Sequence, residues 1–298
     1  MLLKELILKG TETISSLYHD REAKEMVYAF LEHQLGTKRH THIVEPMYEV
    51  ADDQAEGALS AFLRMAAGEP LQYVTGFADF YGRRFRVTPD VLIPRPETEL
   101  LCRNVNEPSE HSATIPTILD LCTGSGCIAW TLALEMPGAE VTAVDISDGA
   151  LEVASSQDFA EETARTGALP PVFVKADVLA GPSASGIAGP YDILVSNPPY
   201  VMDKEKALMR SNVLDHEPHL ALFVSDEDPL VFYRAVAVWA RTLLKPDGFG
   251  IVEINEALGP ETSEVFRKAG FFRTEIIKDL SDRDRFVRFS RSLSHQSA

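Results

Sequence analysis

The chain has 298 residues, 45% of them apolar and 24% charged, enough to bury a core for one large domain beside a smaller one. Lys plus Arg number 28 against 45 Asp plus Glu, and the resulting net charge of −17 argues against a phosphate-backbone partner and for a neutral or basic one. Three cysteines without CxxC spacing (Cys102, Cys122, Cys127) indicate free thiols in a reducing compartment. The start of the chain, interrupted by Lys4, Glu5 and Lys9, is not a signal peptide, and no apolar run approaches the about 18 residues of a membrane span. A cytoplasmic protein is expected.

Residues 1–75 carry helical periodicity. Leu3, Ile7, Ile14 and Leu17, then Met26, Val27, Phe30 and Leu31, recur at three- and four-residue intervals. A further helix is expected over 51–67, stopping at Gly68 and Pro70. Residues 76–91 alternate aromatic and polar residues around Gly82 and predict a linking β-hairpin. Pro94 and Pro96 then enforce an extended approach, Glu97 is expected to open a helix, and 104–116 reads as a loop.

From residue 117 to about 290, strands and helices alternate. Strands are expected at 117–121, 141–144, 172–175, 191–196 and 249–254. The intervening helices are expected at 127–135, 149–165, 229–244 and 262–269. Repeated βα units imply a mostly parallel sheet with both faces covered. Two last strands, 272–277 and 285–289, are joined too closely for a crossover and should pair antiparallel. The tail, 291–298, reads as disordered.

Four strand ends carry chemistry. The first runs from Asp120 through Cys122, Thr123, Gly124, Ser125 and Gly126, small residues that let the backbone turn sharply beside a ligand. No Gly-Lys-Ser/Thr follows, so it is not a phosphate P-loop, and Thr123 replaces the first glycine of a nucleophile elbow. Asp145 ends the next strand about 20 residues on, the spacing of a carboxylate that accepts ribose hydroxyls. Asp177 follows the third strand and offers an acceptor for an adenine amino group, with Val178 against the ring.

The fourth end, Asn197-Pro198-Pro199-Tyr200, decides the reaction. Two prolines hold it extended and leave carbonyl oxygens free, Asn197 adds a side-chain carbonyl, and Tyr200 a flat face. Together they predict a stiff socket for a planar NH2 group. Asp215, His216, Glu217 and His219 resemble a metal cluster, but adjacent loop residues cannot all aim at one ion, and no metal is expected.

These residues resemble the bacterial protein-(glutamine-N5) methyltransferases of the HemK/PrmC type, which modify peptide chain release factors. The resemblance covers most of the chain. It includes Ala67 to Tyr73 with Thr75-Gly76, Leu92 to Glu99, the glycine loop, Asp145, Asn197 to Tyr200, and Glu217-Pro218 ahead of Ala221-Leu222. It implies a seven-stranded, Rossmann-like class I methyltransferase sheet at 92–290 behind a small helical substrate-recognition domain at 1–75. It implies S-adenosylmethionine as cofactor, S-adenosylhomocysteine as product, and the glutamine of a release factor's Gly-Gly-Gln motif as target. Carried over, Cys122 to Gly126 line the cofactor site, Asp145 binds the ribose and Val178 flanks the adenine. Asn197 then faces cofactor and substrate, with Pro198, Pro199 and Tyr200 completing the pocket. Glycine often stands where this chain has Cys122, and cysteine there is expected to need negative φ.

On this reading, Asn197 and the Pro198 carbonyl accept the two N–H groups of the target amide. The competing readings are an adenine-N6 methyltransferase on DNA or RNA, a glutamine methyltransferase on a ribosomal protein, and a non-catalytic adaptor. The negative charge opposes direct nucleic-acid binding, and an intact Asn-Pro-Pro-Tyr opposes the adaptor.

Overall fold

The computed structural model describes residues 1–106 and 115–291. The expected tail, all but its first residue, and most of the expected 104–116 loop lie outside them. The chain divides into two compact units: Met1–Phe77 with Met209–Glu217, and Ala78–Leu208 with the chain from Pro218 onward.

The first unit is helical, with its main helices at Leu3–Ile14, Asp20–Leu35 and Asp52–Ala66. Leu3, Leu6, Gly10 and Ile14 share one face of the first helix, and they pack with Val27, Phe30, Phe62 and Met65. A Cβ at Gly10 would lie 2.6 Å from the Phe62 ring, so glycine there lets the two helices approach. The segment Met209–Glu217 folds with these helices, and its Arg210 Nη1 donates to Glu22 Oε1 at 3.0 Å. Nothing in its composition marked it as part of the helical unit.

The second unit starts at a hairpin, β1 (Phe77–Phe80) and β2 (Arg83–Arg86), joined by Tyr81 and Gly82 at φ 52° and 74°. Two positive φ values match the twist of a tight hairpin. Phe80 and Phe85 are buried against Trp130 and Phe159, so the hairpin is part of this unit's core. The strands β3 (Thr117–Leu121), β4 (Glu140–Asp145), β5 (Val172–Lys175), β6 (Tyr191–Ser196), β9 (Leu244–Glu253), β10 (Arg273–Lys278) and β11 (Asp284–Ser290) form one sheet. Its order is β10-β11-β9-β6-β3-β4-β5. The five strands from β5 to β9 are parallel, and β11 pairs antiparallel with both β9 and β10. A separate parallel pair joins β7 (Val201–Met202) to β8 (Phe223–Val224).

Alternation along the strands supplies a core on each face. Ile118, Ala143, Ile193, Val195 and Ile251 pack beneath the helix Cys127–Glu135, while Leu119, Leu121, Val144, Leu194 and Val252 pack with Tyr233, Val236 and Trp239 of the helix Val231–Leu243.

Two expectations are corrected. The single helix predicted over 149–165 is two, Asp148–Ser155 and Ala160–Thr166. Ser155 and Ser156 turn their hydroxyls back onto main-chain carbonyls. Gln157 is drawn inward, where its side chain accepts from Arg86 N–H at 2.8 Å and donates to Ser125 O at 3.0 Å. The helix expected from Glu97 is a 3-10 turn, Pro96–Thr98, and the α-helix begins at Glu99 and runs to Asn106.

Gly250 lies opposite Phe289 in the β9–β11 pair, and a Cβ there would sit 2.1 Å from the ring. The ring cannot yield, because it stacks on Phe266 at 3.8 Å between centroids and meets Phe271 edge-on. Gly250→Ala should therefore lower stability by about 1–3 kcal/mol in urea unfolding, the usual range for overpacking. A variant as stable as the parent would show that the ring has room to move.

Candidate active site

Strand β3 pairs with β4 on one side and β6 on the other, so the chain leaves this point in two directions. A crevice opens at such a split, beyond the carboxyl ends of the strands. Ser196, buried at the end of β6, donates its hydroxyl to Leu121 O at 2.7 Å and fixes the two strand ends together. Beyond them is a cavity of about 200 Å³.

The glycine loop forms one wall, through Cys122, Thr123, Gly124 and Ser125. Thr123 N–H donates to Val144 O and Gly126 N–H to Thr123 O, both at 2.9 Å, which makes the turn tight. A Cβ built on Gly124 would meet nothing within 4 Å, so its backbone faces open space. Cys122 adopts φ 62°, which corrects the expectation of negative φ: the turn imposes a left-handed conformation on a residue with a side chain.

Asp145 ends β4 half-buried. One carboxylate oxygen accepts from Gly124 N–H at 2.9 Å and the other from Ser147 N–H at 3.0 Å. Each oxygen keeps a lone pair for a further donor. Burial raises its pKa above the ordinary value of 3.8, opposed by N–H bonds from Ser147, Gly124 and Ile146. Ser147 caps the following helix, accepting from Ala150 N–H at 3.2 Å, which leaves Asp145 free of that duty. Asp177 and Val178 also line the cavity. Asp177 is exposed and accepts from Leu179 N–H at 2.8 Å, while Val178 is buried and Trp239 Nε1 donates to its carbonyl at 2.9 Å.

Of the fourth strand end, Asn197 and Pro199 line the cavity and Pro198 and Tyr200 do not. The prolines hold the segment extended. Pro198 is buried, and Tyr200 is half-buried against the core beneath the sheet. The Tyr200 hydroxyl donates to Glu253 Oε1 at 2.9 Å, and burial raises its pKa well above the ordinary tyrosine value. Asn255 Nδ2 donates to Tyr200 O at 3.2 Å, which pins the main chain. The Tyr200 phenol is thus held by the interior, while neither Pro198 nor Tyr200 is among the residues lining this cavity. Asn197 Nδ2 donates to Thr98 Oγ1 at 3.4 Å, and its Oδ1 has no partner among the described residues.

Asp120 and Gly126, also expected at the cofactor wall, are not among the residues lining the cavity. Gly126, at φ 77°, precedes the helix Cys127–Glu135 and packs against Ala154. Asp120 is fully buried beneath the loop, where it accepts from the Thr123 hydroxyl at 2.6 Å. Sequence reasoning placed in the site neither Asp90, Val91, Leu92 and Arg95 nor Thr98 and Phe232, all of which line the cavity. The Leu92–Glu99 motif was the available signal for most of them.

The Methyltransferase small domain family matches residues 96–221, and the PrmC N-terminal domain family matches residues 5–76. A release factor glutamine methyltransferase of Flavobacterium psychrophilum is 36% identical over 97% of this chain and 99% of its own length. One of Streptococcus pneumoniae is 37% identical over 95% and 94%, and one of Bacteroides thetaiotaomicron is 45% identical over 76% and 78%. The chain belongs to the release factor glutamine methyltransferase family. The seven-stranded sheet is that of a Rossmann-like methyltransferase, and the family's cofactor is S-adenosylmethionine. The residues suit that group: a carboxylate with lone pairs to spare lies beside a bare glycine backbone, and Ile146, Val178 and Leu179 offer apolar surface nearby.

Burial and, to a smaller degree, the nearby Asp145 charge push the Asp120 pKa up from 3.8 to about 7, against the pull of the Thr123 hydroxyl and the Ala129 N–H. A carboxyl raised in this way stabilises the fold below its unfolded pKa of 3.8, and the contribution is lost as pH rises toward about 7. Asp120→Asn, which cannot ionise, should therefore gain stability relative to the parent as pH rises from 3.8 to about 7, with no further change above. Urea unfolding of both proteins across that range checks this. A constant difference would show that Asp120 ionises at its ordinary pH.

Proposed function

We propose that this chain transfers a methyl group from S-adenosylmethionine to the side-chain amide nitrogen (N5) of the glutamine in the Gly-Gly-Gln motif of peptide chain release factors, in the cytoplasm. The observation that carries this reading is the Asn197 amide. Its nitrogen is engaged by Thr98, and its oxygen is without a partner, in the cavity that also holds Asp145 and the glycine loop.

Bound S-adenosylmethionine supplies an electrophilic methyl on a sulfonium sulfur. The chain's own work is to place the nucleophile. An amide nitrogen is weakly nucleophilic because its lone pair is delocalised into the carbonyl, so alignment matters more than usual. Asn197 Oδ1 accepts an N–H of the target carboxamide, and the stiff Pro199 edge limits its tilt. Positioning of this kind contributes roughly 7–11 kcal/mol at best. As positive charge grows on the nitrogen, the Asn197 oxygen stabilises it. Of the residues that would hold the cofactor, Asp145 would accept ribose hydroxyls, Asp177 would accept from the adenine amino group, and Val178 would lie against the ring. The net charge of −17 disfavours a nucleic-acid target and suits a basic protein partner.

A release factor incubated with the enzyme and S-adenosylmethionine should gain one methyl on its Gly-Gly-Gln peptide, read by mass spectrometry, while ribosomal protein and nucleic acid offered alongside should not. Asn197→Ala should lower kcat by about 100-fold or more, as loss of a transition-state acceptor does, with S-adenosylhomocysteine still binding. Methylation of nucleic acid in preference to the release factor, or near-normal turnover by the variant, would refute the reading.

Ionised Asp145 is the form that accepts ribose hydroxyls. Because its pKa is raised above 3.8, S-adenosylhomocysteine affinity should begin to fall, as pH drops, at a pH above the ordinary carboxylate value. Asp145→Asn should bind more weakly and lose that pH dependence in calorimetric titration. An unchanged pH dependence would remove Asp145 from ribose binding.

A further inference from the structure

Glu253 ends β9 and is 1% exposed, yet it does not line the cavity. Each of its carboxylate oxygens takes one hydroxyl: Oε2 accepts from Thr98 Oγ1 at 2.7 Å, and Oε1 accepts from Tyr200 OH at 2.9 Å. A carboxylate has no proton to give, so both hydroxyls must donate toward it. Once Thr98 has donated to Glu253, only its lone pairs remain for Asn197, and they take the Nδ2 group at 3.4 Å. The hydrogens therefore run one way, from Asn197 to Thr98 to Glu253. The two hydroxyl bonds and Arg285 oppose the effect of burial on Glu253, which raises its pKa, as Glu97 also does.

We propose that Thr98 and Glu253 are positioning residues that fix the polarity of the Asn197 amide, so that the cavity presents a carbonyl acceptor and selects a substrate that donates N–H. This inference rests on the methyl-transfer reading above. Without a partner on Nδ2, the Asn197 amide turns over by half a rotation at little steric cost. It then offers NH2 to the substrate NH2, a donor facing a donor. The fixed polarity also discriminates chemically. A carboxamide meets its complement, whereas a carboxylate of the same shape meets the negative end of a dipole. Chains of aligned hydrogen bonds polarise one another, so the buried charge on Glu253 strengthens the acceptor at the far end of the relay.

The test uses the full-length enzyme with a release factor as substrate, and Gly-Gly-Gln and Gly-Gly-Glu peptides as competing ligands. Thr98→Val keeps the shape and removes the hydroxyl, Thr98→Ser restores it, and Glu253→Gln gives the relay a donor where it had only acceptors. Thr98→Val and Glu253→Gln should each lower kcat by about 10- to 100-fold, comparable to losing part of an oriented acceptor. KM and S-adenosylhomocysteine affinity should stay within about threefold, because the cofactor wall is untouched. Thr98→Ser should recover to within about threefold of the parent. The preference for the Gln over the Glu peptide should narrow in Glu253→Gln, since rejection of the wrong partner depends on the mismatch of buried polar groups.

Thr98→Ser no better than Thr98→Val would overturn the proposal, because the side chain would then act through packing. So would unchanged kcat in Thr98→Val, or an unchanged peptide preference in Glu253→Gln. Should Glu253→Gln fail to fold, the uncharged Thr98 pair still decides. An inactive parent enzyme would overturn the methyl-transfer reading and this inference together, whereas an active parent with unaffected variants overturns this inference alone.

Discussion

Everything in the sheet unit follows from the separation of chain direction between β3 and β6. Leu121 and Ser196 end neighbouring strands, one continuing into the glycine loop and the other into Asn197. The hydroxyl bond from Ser196 to Leu121 O holds those ends in register at 2.7 Å. A glycine loop and an Asn-Pro-Pro-Tyr segment have no fixed relation as sequence. Parallel pairing across this one boundary is what puts a ligand-binding turn and an amide acceptor around the same cavity.

The unit buries three carboxylates near that boundary, and their partners assign them different tasks. Asp145 takes backbone N–H groups and stays open to the cavity, so it suits hydroxyl donors. Glu253 takes two side-chain hydroxyls and is closed off, so it orients the groups that donate to it. Asp120 takes the Thr123 hydroxyl beneath the loop, and burial raises its pKa to about 7. Each hydrogen bond to the ionised form offsets part of the desolvation that burial imposes.

Much of this was legible in the sequence, and the failures have a common cause. The strand ends carrying Asp145 and Asn197 were readable because hydrophobic alternation breaks off there into residues of another kind. The extended conformation of 197–200 was readable too, from its prolines. Which of its residues line the cavity was not readable: Asn197 and Pro199 do. Nor was the full burial of Asp120 beneath the loop readable, since adjacency in sequence is not shared facing. The break at Gln157 was hidden because it depends on Arg86 and Ser125, 71 and 32 residues away, whose main-chain groups only the folded hairpin and loop bring to the amide. Thr98 and Glu253 are separated by 155 positions, and no spacing rule joins them.

Cys122 shows how firmly the loop geometry is set. A side-chain-bearing residue at φ 62° carries strain of order 1–3 kcal/mol, and such strain persists only where the surroundings over-determine the backbone. Here they do. Leu121 O is held by Ser196 on one side, and Thr123 N–H is held by Val144 O on the other, so the peptide units flanking Cys122 have no freedom to rotate to negative φ. The side chain finds apolar contact in the core beneath the sheet, with burial raising its thiol pKa well above the ordinary value, so it sits there as a neutral packing group. Sequence preference predicts the conformation a residue takes when its neighbours are free to follow. At this turn the neighbours are fixed first, by strand pairing, and the residue follows them.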